Sequence, residues 1–141
     1  MKSKASAVWQ GKLESGEGHL TTTSDALQNV PYTFKTRFEG AEGTNPEELL
    51  GAAHAGCFSM ALSMILGEAG HTAEKIETQA TVTLEEEGDS FAIKAVHLDC
   101  TASVPGASEA DFQEAAGKAK GGCPMSKVLN ADITMDAKLA S

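Results

Sequence analysis

The stretch Asn45–Gly70, NPEELLGAAHAGCFSMALSMILGEAG, decides how the rest of the chain is read. Asn45 suits a helix N-cap, Pro46 the first helical position, and Glu48 stands three residues after the cap, as in a capping box. Gly70 is a natural left-handed stop. No charged residue occurs from Leu49 to Leu66. A helix that is apolar nearly all round must be covered by other elements. This one also carries a thiol, Cys57, one turn after His54.

Outward from this helix the pattern changes to strands. Residues 4–11 alternate weakly around Ala7 and Trp9. A Gly-Glu-Gly turn follows at 16–18, and a Thr-rich strand is predicted over 19–24. A third strand is predicted from Tyr32 through the FKTRF run that holds Arg37. After the helix, two longer strands are predicted at 76–84 and 91–104, with 85–89 as the turn between them. Ser108 caps a second helix carrying Phe112, Ala115, Ala116 and Ala119, and Gly121-Gly122 breaks it. Cys123-Pro124 restarts a short helix, and 133–139 reads as a last strand. The order βββ-α-ββ-α-β, rich in hairpins, indicates one α+β domain over residues 1–141 with largely antiparallel sheets.

Composition narrows the function. The 141 residues carry a net charge of −9 and lack the clustered Lys and Arg that nucleic acids or anionic membranes require. Seven aromatics (five Phe, one Trp, one Tyr) leave a core built from aliphatic and alanine side chains. Met1-Lys2-Ser3-Lys4 leads into a polar segment, not an apolar leader, and the 18 uncharged residues 49–66 lack basic anchors. The expectation is a cytoplasmic protein with reduced thiols.

Of the three cysteines, Cys100 lies in phase with Val96 and Leu98 and reads as a small buried hydrophobe. Cys123 stands at a helix N-cap, where unpaired N–H groups favour a thiolate. Cys57 lies mid-helix among Ala53, Ala55, Gly56 and Ala61, with room beside the sulfur, but it needs a cation from elsewhere. His54 is on the same helical face as Cys57; it is either a bonded core histidine or part of a Cys57–His54 hydrolytic dyad. Phe58, Met60, Met64 and Ile65 are either core or an apolar substrate lining. The Cys and His spacings match no zinc motif.

Three runs then carry a resemblance: RFEG at 37–40, GTNPEELLGAAHAGCFSMAL at 43–62 and GCPMSKVL at 122–129. The chain resembles the OsmC/Ohr family of organic hydroperoxide reductases, nearer the OsmC branch, over its whole length. The resemblance implies a thiol peroxidase in which Cys57 attacks the peroxide, Cys123 resolves the product as a redox-active disulfide, and Arg37 and Glu47 complete the site. It implies no metal, haem or flavin cofactor. It also implies an intertwined homodimer, an organic hydroperoxide substrate and a dithiol reductant, lipoyl-type in relatives. Each residue type suits its task. A thiolate attacks the O–O bond, a guanidinium stabilises thiolate and leaving alkoxide, and a carboxylate orients the guanidinium. Attack leaves a sulfenic acid that a second thiol converts to a disulfide.

Geometry adds a constraint. Glu47 and Cys57, ten residues apart on one helix, are separated by about 15 Å along the axis and about 80° around it. Either the helix breaks, at Gly51 or Gly56, or Glu47 serves a site on a second chain. A redox-sensing or small-molecule-binding module on the same fold is the alternative to an enzyme.

Overall fold

A computed structural model of the chain describes residues 1–140. It divides into two compact units, the first Met1–Leu49 and the second from Leu50 onward, with the boundary in the first turn of the long helix.

In the first unit, β1 (Ala5–Gln10), β2 (Glu17–Thr22) and β3 (Val30–Tyr32) form an antiparallel sheet in that order. Trp9 pairs with Gly18, and Gly18 with Tyr32. The two rings meet over the glycine with centroids 5.6 Å apart. A Cβ at Gly18 would lie 2.5 Å from Tyr32 Cε1, so the absence of a side chain is what lets the rings close.

The third strand is shorter than predicted. FKTRF is not its continuation but a helix, α1 (Phe34–Phe38). The cause is local. The Thr33 N–H donates to Thr36 Oγ1 at 2.9 Å, and the Thr36 N–H donates to Thr33 Oγ1 at 3.2 Å, a capping box with threonine at both ends. Alternation of aromatic and polar residues is compatible with a strand, but two reciprocal caps favour the helix.

The long helix α2 spans Pro46–Glu68 without interruption. Asn45 caps it, with its Oδ1 accepting from the Glu48 N–H at 2.8 Å, while the Glu48 carboxylate receives the Thr44 hydroxyl. It stops in a Schellman arrangement around Gly70 (φ 86°): the His71 N–H donates to Leu66 O and the Gly70 N–H to Gly67 O.

In the second unit, β4 (Lys75–Glu87) and β5 (Ser90–Ser103) form a long hairpin, and β6 (Asp132–Leu139) lies on the other side of β5. β4 runs further than the sequence indicates and β5 starts one residue earlier, because the turn contracts to Gly88-Asp89, with Gly88 in the left-handed region. A register shift at Thr83/Leu84 skips Lys94, a bulge on the β5 side of the hairpin. β6 pairs with β5 in parallel. The intervening α3 (Glu109–Gly122) and α4 (Pro124–Val128) supply the crossover that a parallel pair needs.

The core is an α2 stripe packed with one face of β5 and with α3. His54, Phe58, Leu62 and Leu66, four residues apart, are closed to solvent. Val96, Leu98, Cys100 and Ala102 point inward from β5, and Phe112, Ala115, Ala116 and Ala119 from α3. Burying each large apolar side chain contributes roughly 1.5–3 kcal/mol. Gly51 lets α2 approach β4, as a Cβ there would lie 3.4 Å from Val82 Cγ2. The opposite side of α2 remains open, with Met60 77% and Met64 60% exposed.

Candidate active site

Two groups of side chains carry the chemistry, one in each unit. In the first, α1 presents Arg37 to Glu47 in the opening turn of α2. Arg37 Nη2 donates to Glu47 Oε1 at 2.7 Å, and Nε donates to Oε1 and Oε2 at 3.1 and 3.2 Å. Glu47 is buried, and the Asn45 side-chain amide ties the same turn to Thr36 O. The pair fixes the plane of the guanidinium and leaves its other edge available. The Phe38 ring lies 5.2 Å from the Arg37 guanidinium carbon. Beside them is an apolar cleft of about 240 Å³ lined by Trp9, Leu13, Tyr32, Thr33, Phe34, Arg37 and Phe38.

None of Phe58, Met60, Met64 and Ile65, read from the sequence as core or substrate lining, belongs to this wall. Phe58 is wholly enclosed in the core and Met60 is exposed on the open side of α2. The aromatic wall escaped sequence reading because it assembles from β1, β3 and α1. Its one legible signal is the density of four aromatics between Tyr32 and Phe38 and at Trp9.

In the second unit, α4 gathers the sulfurs. Cys123 is the N-cap of α4, and its Sγ accepts from the Ser126 N–H at 3.4 Å. Cys57 lies close enough to the Met125 backbone N–H and to the Cys123 thiol for both to act on its ionisation. The Cys57 thiol is pushed above its ordinary range by burial first, then by the bond to Cys123 and by repulsion from it; the Met125 N–H works the other way. No cationic group among the described residues contributes to that balance.

His54 is not paired with Cys57. Its Nε2 lies 2.8 Å from Ser126 Oγ, and burial pulls the ring below the ordinary histidine range. Cys100 is buried, and burial pushes its thiol up, with the neighbouring Thr78 side chain opposing the shift. Potential metal ligands come together elsewhere. His97, Asp99 and Asp136 place ligand atoms within 4.8 Å of one another, where the imidazole is held by Thr134 and by both carboxylates, each more than half exposed.

Comparison with known proteins decides the family. The OsmC profile, described as OsmC-like protein, matches residues 39–138. The chain belongs to the OsmC family. This OsmC-family chain is 51% identical over 138 residues to Peroxiredoxin OsmC of Escherichia coli (strain K12), covering 98% of the chain and 96% of that protein. It is 30% identical over 124 residues to Organic hydroperoxide resistance protein-like 1 of Staphylococcus saprophyticus, covering 87% and 86%. Two solved structures share the fold. An OsmC like protein from Mycoplasma pneumoniae has a TM-score of 0.76 at 18% identity over 100% of this chain and 99% of that one. The organic hydroperoxide resistance protein OhrB of Bacillus subtilis has a TM-score of 0.70 at 24% identity over 96% and 98%.

Proposed function

We propose that the chain is a cysteine peroxidase that reduces organic hydroperoxides to alcohols through Cys57 and Cys123, in the response to oxidative stress. The observation that carries this reading is that Cys57 of α2 neighbours Cys123, the N-cap of α4. The names of the relatives, a peroxiredoxin and hydroperoxide resistance proteins, support it.

In this mechanism the Cys57 thiolate attacks the distal peroxide oxygen. The O–O bond breaks, the alkoxide takes a proton and leaves as alcohol, and Cys57 becomes a sulfenic acid. Arg37, held by Glu47, stabilises thiolate and alkoxide. Cys123 then condenses with the sulfenic acid, releasing water and forming the disulfide. A dithiol, lipoyl-type in our reading, reopens it by exchange. The apolar cleft beside Arg37 favours an organic over a hydrogen peroxide substrate.

The working form is a homodimer in the cytoplasm, each chain acting as one functional domain. Two observations support the dimer. α2 is unbroken, so Glu47 and Cys57 stand about 15 Å apart along one helix. Its far side is uncharged and open. Arg37 and Glu47 of one chain then serve Cys57 of the other.

The test is to treat reduced protein with one equivalent of an alkyl hydroperoxide and map the products by mass spectrometry. A Cys57–Cys123 link, with turnover on a dithiol, is the expected result. Full activity in Cys57→Ser, or no such link, overturns the reading. Oxidation without turnover on any dithiol would favour a redox sensor. A Cys57–His54 acyl hydrolase would instead hydrolyse activated esters and lose that activity in His54→Ala.

A further inference from the structure

His54 occupies a place where an apolar side chain would serve the core. It continues the stripe of Phe58, Leu62 and Leu66 and is equally closed to solvent. Its Nδ1 has no hydrogen-bond partner among the described residues, a cost that packing alone does not repay. Its Nε2 has one partner, Ser126 Oγ at 2.8 Å. The same hydroxyl lies 3.1 Å from Cys123 Sγ, and the Ser126 N–H holds that sulfur from a second side. An imidazole, a hydroxyl and a thiol therefore form one continuous chain of hydrogen bonds ending at Cys123, which neighbours Cys57.

We propose that His54 and Ser126 form a proton relay for Cys123 during disulfide formation. The inference rests on the Cys57–Cys123 cycle proposed above and adds the path of the proton. As the Cys123 sulfur attacks the Cys57 sulfenic acid, the Cys123 proton passes to Ser126 Oγ, and the Ser126 hydroxyl proton passes to His54 Nε2. The S–S bond forms and the S–O bond of Cys57 breaks, its electron pair leaving with hydroxide. The proton then returns from His54 through Ser126 and completes a water molecule. Cys123 is oxidised, the sulfenic oxygen leaves as water, and no further oxidant is consumed. Burial lowers the imidazole's affinity for a proton, which disposes it to give the proton back. When a dithiol reopens the disulfide, the same chain protonates the departing Cys123 sulfur. Ser126 touches a reacting atom and is catalytic; His54 acts through it as a positioning residue.

The test separates the two chemical steps. Reduced full-length protein and its Ser126→Ala, Ser126→Thr and His54→Gln variants are mixed with one equivalent of an alkyl hydroperoxide and quenched at increasing times. Mass spectrometry then counts dimedone-trapped Cys57 sulfenic acid and the Cys57–Cys123 disulfide. Ser126→Ala should slow disulfide formation by ~10²-fold, the lower end for a positioned proton acceptor. Sulfenic acid should form at the parental rate and accumulate. Ser126→Thr, which keeps the hydroxyl, should restore condensation. His54→Gln should resemble Ser126→Ala; should it not fold, the Ser126 pair decides alone. Parental condensation in Ser126→Ala, or equal slowing of both steps, overturns the relay. Absence of any Cys57–Cys123 disulfide in the parent overturns the peroxidase cycle itself, and the relay with it.

Discussion

At the scale of single residues, the site depends on charges that the sulfurs do not provide for themselves. Burial and the neighbouring Cys123 both push Cys57 upward, and the proposed cycle assigns the stabilisation of its thiolate to Arg37. Arg37→Ala should therefore move the pH profile of Cys57 alkylation to higher pH and lower kcat/KM by ~10²-fold, the scale of losing one preorganised donor. An unchanged alkylation profile would contradict the assignment. His54 gives a separate dependence on pH. Its folded pKa is depressed by burial, so below about pH 6.5 the unfolded chain binds a proton that the folded chain refuses. This contribution to stability is complete above that value and is lost as pH falls through the folded pKa. Urea denaturation should show a stability loss between neutral pH and about pH 5 that is smaller in His54→Gln. Cys57, Cys123, Arg37 and Glu47 were named from the sequence through the family resemblance, and their roles are the proposed ones. Ser126 was not, because its partner His54 lies 72 residues away in sequence and no local signal links them.

At the scale of elements, short-range hydrogen bonds explain both the success and the main correction. The start of α2 was legible because Asn45 and Pro46 act within one turn, and its end because Gly70 adopts the left-handed conformation. The FKTRF run was misread as strand because its hydrophobic alternation is real, whereas the reciprocal Thr33–Thr36 bonds depend on two threonines that are weak cap signals on paper. Thr33→Ala should cost about 1 kcal/mol, read by denaturant unfolding, and should reduce turnover because α1 carries Arg37. Within α2 the buried stripe matters more. Phe58→Ala should cost about 3–5 kcal/mol, and a change near zero would mean that Phe58 lines a solvent-filled pocket after all.

At the scale of the whole molecule, the open side of α2 and the placement of Glu47 and Cys57 on one rod lead to the same expectation. The protein should sediment at twice the 14.6 kDa chain mass, and Met60→Glu combined with Met64→Glu should yield an inactive monomer. Chain sharing has a sharper test. Cys57→Ser and Arg37→Ala chains, each inactive alone, should recover about a quarter of parental activity after unfolding and refolding together, because half the dimers are mixed and each carries one intact site. A lack of recovery would place Arg37 and Cys57 of the same chain in one site.

The sequence by itself determined what acts within a few residues: the capped helix over 46–68, uncharged from Leu49 to Leu66, the hairpin around Gly88, the inward phase of Val96, Leu98 and Cys100, and Cys123 as the cap before Pro124. These follow from periodicity, backbone freedom and the first turn of hydrogen bonds, all of which are local. Only the tertiary structure decided that β6 runs parallel to β5, that an aromatic wall forms beside Arg37, and that His54 reaches Cys123 through Ser126. Those outcomes depend on how a crossover returns the chain and on which side chains then meet. That energy is held in contacts between distant residues, where no pattern along the chain records it.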